Sequence, residues 1–156
     1  MSEEPYRFVE SVRMVSRLVE KSLSSEWILE NVERFESRVK GLTFESPVFG
    51  LKRGGYQWQL VMNLRDVCSS SLSLQLISSV FNRACVAYRF GIVNVDGNFE
   101  YEDHGQMNFE VDVPRQSPTI LFSWNKLMEM KQKLFVNDQL RIECQITVLD
   151  YENVVV

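Results

Sequence analysis

The histidine and the cysteines are the first candidates for chemistry in this sequence. His104 is the only histidine, and it stands in Glu102-Asp103-His104-Gly105, a polar stretch typical of a loop. Catalysis by a Ser-His-Asp or Cys-His group needs the histidine within hydrogen-bond reach of its nucleophile. Cys85 and Cys144 fall on predicted strands, and Cys144 lies on the apolar side of its strand. The sequence therefore predicts a protein that is not an enzyme.

Metal and cofactor sites are equally unsupported by the residue spacing. Zinc is held by several histidines and cysteines close together, whereas these residues are scattered here and no CxxC occurs. The run of Glu100, Glu102 and Asp103 fits a solvated turn better than its alternative, a hard-cation site. No phosphate-binding glycine motif, nucleophile elbow or HExxH is present. We expect no cofactor and no metal.

Composition limits the classes of protein further. The chain has 156 residues with 17 basic and 21 acidic side chains, a net charge of −4, and 45% hydrophobic residues. Such a chain makes one folded domain, and its charge argues against direct binding to nucleic acid. It has no apolar run long enough to cross a membrane and no signal-peptide pattern. With three cysteines, an odd number, we expect an intracellular protein of the nucleus or cytoplasm.

Two segments have the spacing of helices. Near the N-terminus, apolar residues separated by four, three and four positions predict a short helix and a possible assembly face, made of Phe8, Val12, Val15 and Val19. Late in the chain, Ser123 can cap a helix whose apolar side is Trp124, Leu127, Met130 and Leu134. We expect an N-terminal extension over 1–23, a folded domain over 24–150 and a tail over 151–156.

The remainder of the chain has the alternation of β-strands. Apolar and polar residues alternate over 56–63, 72–77 and 138–149, and Asp96-Gly97 marks a tight turn. The strand over 84–95 is apolar on one face and not strongly polar on the other, which is typical of a central strand covered on both sides. Strands also follow from Asn98 to Tyr101 and from Gly105 to Val113. Seven or eight strands at regular spacing, without a helix between each pair, predict an all-β antiparallel sandwich.

Six of these segments, taken in order, resemble a MATH domain, the TRAF-like β-sandwich. They cover most of the chain and match the family's W-x-I-x-N-F, S-x-x-F, G-x-x-W-x-L, L-S-L-Y-L, F-x-F-x-I-L-N and D-x-L-x-I strands at Glu26–Val32 with Phe35, Ser46–Phe49, Gly55–Leu60, Leu72–Leu76, Tyr88–Asn94 and Val136–Cys144. The resemblance implies an eight-stranded antiparallel sandwich. It also implies recognition of a short extended peptide, as in adaptors that select substrates for cullin-based ubiquitin ligases.

The resemblance also implies where a peptide would bind. Tyr88 and Phe109 match aromatic positions of the family's groove, although both also suit a core, and Gln75 stands where relatives carry an aromatic residue. Arg115, Ser117 and Thr119 occupy the segment in which substrate adaptors have W-G-F. We expect these six residues to line a peptide site. The alternative is a structural or assembly subunit that binds a protein through the N-terminal helix and a sheet face.

Overall fold

The computed structural model describes residues 9–34, 38, 41–50, 55–64, 69–79, 82–113 and 117–154. Strands dominate these residues, and the elements in chain order are β1 (Val15–Glu30), β2 (Thr43–Glu45), β3 (Phe49–Gly50), β4 (Gln57–Asn63), β5 (Ser70–Ser78), β6 (Arg83–Val93), β7 (Phe99–Glu110), β8 (Thr119–Phe122), α1 (Trp124–Glu129), α2 (Lys131–Leu134), β9 (Phe135–Val136) and β10 (Gln139–Val154). Phe8 and Arg115 lie outside the described residues.

The strands form two antiparallel sheets. Sheet A has the order β1-β10-β6-β7, with β9 added to β10, and sheet B has the order β2-β4-β5-β8, with β3 added to β4. All pairings are antiparallel, which confirms the all-β prediction. The described residues contain ten strands, and without the two-residue strands β3 and β9 each sheet has four.

Alternation along the strands builds the core between the sheets. Every second residue is buried in β4, in β5 up to Leu76 and in β10 up to Val148, as the polar–apolar pattern predicts. The largest side chains with no more than 1% exposure include Trp58, Leu60, Phe90, Leu140 and Ile142. Burying one side chain of this kind stabilises the fold by about 1.5–3 kcal/mol. The two sheets are therefore held together by residues whose positions the sequence pattern identifies.

The predicted N-terminal helix is wrong for the residues that the structure describes. Residues 9–14 have no regular structure, and Val15 and Val19 belong to β1, where they pair with Val154 and Asp150. Residues four apart share a face in a strand as well as in a helix, and valine favours strands. Pairing with β10 along all 16 residues of β1 decides between the two. Because of this pairing, β1 runs across position 24 and β10 across position 150.

The loop predicted around His104 is also wrong. β7 is continuous from Phe99 to Glu110, and His104 is an exposed residue of this strand, opposite Arg89. The Tyr88 ring packs over Gly105, which has no side chain to obstruct it. A Cβ at this position would lie 3.2 Å from the Tyr88 hydroxyl oxygen. A glycine that looks like a turn residue in the sequence therefore serves close packing here.

The turn and the late helix follow the sequence more closely. Gly97 has a φ of +85°, as the predicted tight turn requires, and the Asn94 side-chain oxygen accepts hydrogen bonds from the backbone N–H groups of Asp96 and Asn98. The helix begins at Trp124, and the Ser123 hydroxyl accepts a hydrogen bond from the Lys126 N–H at 3.4 Å. The prediction of one uninterrupted helix is wrong, since α1 ends at Glu129 and α2 begins after Met130.

Candidate peptide-binding surface

The described strand residues on the outer surface of sheet B carry almost no charge. We call this surface the neutral face, and it consists of the residues of β2, β4, β5 and β8 that alternate with the buried ones: Thr43, Glu45, Gln57, Gln59, Val61, Asn63, Ser71, Ser73, Gln75, Ile77, Thr119 and Leu121. Glu45, on the short strand β2, is the one charged residue of this set. Amide, hydroxyl and aliphatic groups thus cover the centre of the face.

Strand register arranges these residues in rows. Gln59 lies opposite Gln75, while Val61, Ser73 and Thr119 form a row across three strands. Neighbouring strands are about 4.8 Å apart, so the short side chains of such a row produce a shallow surface. A shallow, uncharged surface can be covered by a partner without the desolvation of ions.

Strand β8 gives the neutral face an edge. It is the last strand of sheet B, and it pairs with β5 only from Ser70 to Ser73. Beyond Ser73, one further bond joins the Leu74 N–H to the Pro118 carbonyl at 3.2 Å. On the outer side of β8, Leu121 is 73% exposed. An edge strand with open backbone groups is a template for an added strand.

A depression lies where β5 continues past the end of β8. Its volume is about 130 Å³, and its lining includes Gln75, Ile77, Glu110, Asp112 and Ser117. Two of the predicted site residues, Gln75 and Ser117, are therefore brought together. The Thr119 hydroxyl donates a hydrogen bond to the Ser117 carbonyl oxygen at 3.1 Å, which places this third predicted residue beside them.

The end of β7 shapes the other side of this depression. Asp112 has a φ of +62°, a left-handed conformation that aspartate tolerates better than most residues. The preceding Val111 N–H donates a hydrogen bond to the Asn82 carbonyl at 2.9 Å, so the chain turns sharply after Glu110. This turn places Glu110 and Asp112 at the depression.

The two predicted aromatic residues lie on the inner side of sheet A. Phe109 is 2% exposed and meets the Trp58 ring edge-on, with centroids 5.0 Å apart. Tyr88 is half-buried, packs against Phe109 at 5.8 Å, and donates a hydrogen bond to the Asp103 carboxylate at 3.3 Å. Neither residue lines the depression of Gln75 and Ser117. Phe109 is a core residue, and Tyr88 packs on it.

The protonation of Tyr88 follows from this setting. Burial of the phenol, and then the charge and hydrogen bond of Asp103, raise the pKa of Tyr88 above its ordinary value. The phenol therefore keeps its proton and remains a hydrogen-bond donor at neutral pH. Its hydroxyl donates to Asp103 of the neighbouring strand β7, so the donor is already engaged within the chain.

The histidine and the two cysteines that the structure describes are separated from one another. Cys85 is exposed on β6. His104 lies on β7 opposite Arg89, and Arg89 is four residues from Cys85 along β6, a distance of about 13 Å. Cys144 is 1% exposed, and burial raises the pKa of its thiol to about 12. Within the described ranges, no group of three histidine, cysteine or acidic residues is arranged to hold a metal. No helix of the same ranges is long and apolar enough to cross a membrane.

Sequence reasoning missed Gln59, Ser73 and Leu121 as candidates for the surface. The signal was present, because uncharged polar residues alternate with buried ones in both 57–63 and 70–78. Comparison of the chain with protein-family models and with curated proteins finds no match. The likeness to the MATH family therefore remains a resemblance of motifs.

Proposed function

We propose that this protein is a non-catalytic interaction module that binds a short extended segment of a protein partner on the neutral face, against the edge of β8. The observation that carries the proposal is the coincidence of two features in one place. An uncharged sheet face adjoins a free strand edge, and Gln75, Ser117 and Thr119 lie where the two meet.

The physical argument concerns what each feature contributes. The backbone groups of an edge strand bind an extended chain of almost any sequence, while adjoining depressions select side chains. The centres of protein interfaces are depleted of charge, as the neutral face is. The small volume near Gln75 and Ser117, which Glu110 and Asp112 also line, suits a short side chain with a hydroxyl donor, such as serine or threonine. The MATH resemblance supports the same mode, and with it a role in selecting substrates for ubiquitination.

The decisive experiment is a peptide-display selection on the full chain, followed by affinity measurements on two matched variants. Gln75→Arg places a large cation on the neutral face, whereas Gln106→Arg places the same group on β7, at an exposed position opposite Ala87. We expect Gln75→Arg to weaken the selected peptide about tenfold or more, with Gln106→Arg unchanged. The proposal would be refuted if no enriched peptide were weakened more by Gln75→Arg than by Gln106→Arg.

A second candidate function is a structural or assembly subunit, favoured by the exposed apolar residues around the start of β1. Val12, Met14 and Leu18 are 74%, 87% and 72% exposed. Residues of this kind commonly mark a protein interface when they cluster. In this alternative the region preceding and opening β1 binds a large partner. Substitution of Met14 and Leu18 by serine would then abolish assembly while leaving peptide selection intact.

A further inference from the structure

A second free edge lies on the opposite side of the sandwich from β8. β1 is the first strand of sheet A and pairs with β10 alone, along all 16 of its residues. No other backbone hydrogen bond in the described residues joins residues 15–30 to another segment. One side of this strand therefore keeps its backbone donors and acceptors for a partner.

A cavity of about 450 Å³ adjoins this edge. Its lining includes all four consecutive residues 25–28 of β1, together with Pro47, Phe49 and Leu60. Successive residues of a strand point to opposite faces, so a cavity touched by four in a row lies beside the strand rather than over one face. Trp27 and Phe49, both half-buried, supply aromatic walls, and the fully buried Leu60 lies behind them.

The wall opposite β1 does not compete for backbone pairing. At Ser46, the N–H donates to the Leu60 carbonyl at 2.9 Å, and the carbonyl accepts from the Gln59 side-chain amide at 2.8 Å. Pro47 has no N–H to donate. A chain entering the cavity would therefore extend sheet A alone, with one apolar side chain packing on Trp27 and Phe49.

The outward-facing residues of β1 indicate which charge such a chain would carry. The outward residues are Ser16, Leu18, Glu20, Ser22, Ser24, Glu26, Ile28 and Glu30, so every charge among them is negative. The other side of the strand carries Arg17, which is exposed, and Lys21, which pairs with Asp150 at 3.5 Å. Glu26 pairs with Arg141 at 3.1 Å, but Arg141 is shared with Glu143 at 3.2 Å. A second copy of this chain would bring the same anionic row against itself, whereas a basic segment would complement it.

We infer that β1 and the adjoining cavity form a second strand-addition site, which takes a basic extended segment of another protein. The partner carries lysine or arginine at alternate positions beside the outward glutamates. A leucine, phenylalanine or tryptophan of the same segment fills the cavity beside Trp27 and Phe49. The site is independent of the neutral face, because β1 and β8 are edges of different sheets, with β10, β6 and β7 separating β1 from the β8 side of the sandwich.

Two matched variants separate this site from the neutral face. Ile28 lines the cavity and is 40% exposed, and Leu121 is its counterpart as an exposed aliphatic residue on the other edge. Ile28→Lys places a cation at the mouth of the cavity, and Leu121→Lys does the same beside β8. Ser25→Arg, a second substitution in the cavity lining, guards against an effect peculiar to residue 28. Thermal melting by circular dichroism establishes that each variant is folded.

The experiment is a selection of random twelve-residue peptides on the full-length Leu121→Lys protein, followed by titration against each variant. We expect peptides with alternating Lys or Arg around one bulky apolar residue, and about tenfold weaker binding to folded Ile28→Lys or Ser25→Arg. Their binding to Leu121→Lys should equal that to the wild type and weaken with added salt. No enrichment, enriched peptides without cations, or binding indifferent to both cavity variants would overturn the inference.

Discussion

The outer faces of the two sheets differ in charge. On sheet A, Arg89 bonds Glu102 at 2.6 Å, and Arg141 bridges Glu26 and Glu143. On sheet B, Glu45 at the margin is the one charge of the neutral face. Both sheets rest on the same core and have the same inward alternation. The difference thus lies in the solvent-facing residues alone.

This difference separates a surface adapted to water from one that can be covered. Ion pairs on an exposed sheet remain hydrated, and a partner that buried them would have to remove that water. Amides, hydroxyls and short aliphatic groups lose less on burial, provided that their hydrogen bonds are replaced. The neutral face is accordingly the better docking surface, while sheet A offers its partner an edge rather than a face.

The largest expected effect is a difference in reactivity between the two described cysteines of sheet A, one on its inner side and one on its outer side. Burial raises the pKa of Cys144 to about 12, so at pH 8 only about one thiol in ten thousand is ionised, and the group is also sterically covered. Cys85 is exposed. We expect iodoacetamide to modify Cys85 about a thousandfold faster than Cys144 in the native protein, as measured by peptide mass mapping. Comparable rates would show that the inward assignment of β10 is wrong.

The next effect concerns carboxylates moved onto the neutral face. Ser73→Asp combined with Gln75→Glu would place two charges at its centre, and we expect partner peptide binding to fall about a hundredfold. The matched control, Thr147→Asp combined with Gln145→Glu, puts the same change on outward residues of β10. It should leave the affinity unchanged. If the control weakened binding as much as the test variant, the neutral face would not be the docking surface.

The smallest expected effect is the pH-dependent stabilisation of the fold by an ion pair on sheet A. The hydrogen bond from Arg89, and to a smaller extent its charge, lowers the pKa of Glu102. Because the folded pKa lies below the unfolded one, the pair stabilises the fold above the unfolded pKa and loses that effect as pH falls through the folded value. Glu102→Gln should lower the Tm at pH 7 by about 2 °C or less, and not at all at low pH.

Glu45→Gln serves as the counterpart on the neutral face. Glu45 forms no ion pair within the part of the chain that the structure describes. Its substitution should therefore leave the Tm unchanged at both pH values, as measured by circular dichroism. A larger decrease in Tm for Glu45→Gln than for Glu102→Gln would contradict the conclusion that the stabilising ion pair lies on sheet A.

Local alternation explains how much of this fold the sequence predicts. The inward residues of β4, β5 and β10 follow directly from the period of two, and the Asp96-Gly97 turn from the conformational freedom of glycine. The start of β1 was predicted as a helix because its valines fit both periods. Its strand partner, Asp150–Val154, lies more than 130 residues away, where local patterns carry no information.

The candidate site was predictable only in part for a related reason. Gln75, Ser117 and Thr119 were expected from the resemblance, and the structure places them side by side. The depression itself depends on where β8 stops pairing with β5 and on the turn at Asp112, which arise from packing between distant segments. Phe109 suits a groove and a core equally in sequence, and contact with Trp58 places it in the core.

The most direct test of the neutral face as a docking surface is an amide proton–nitrogen NMR titration of the full chain with a peptide selected on the wild-type protein. We expect the largest chemical-shift changes at Ser73, Gln75, Thr119 and Leu121, with much smaller ones at the outward residues of β10 and β6. Changes concentrated at Arg89, Arg141 and Gln145 on the outer face of sheet A would contradict the account.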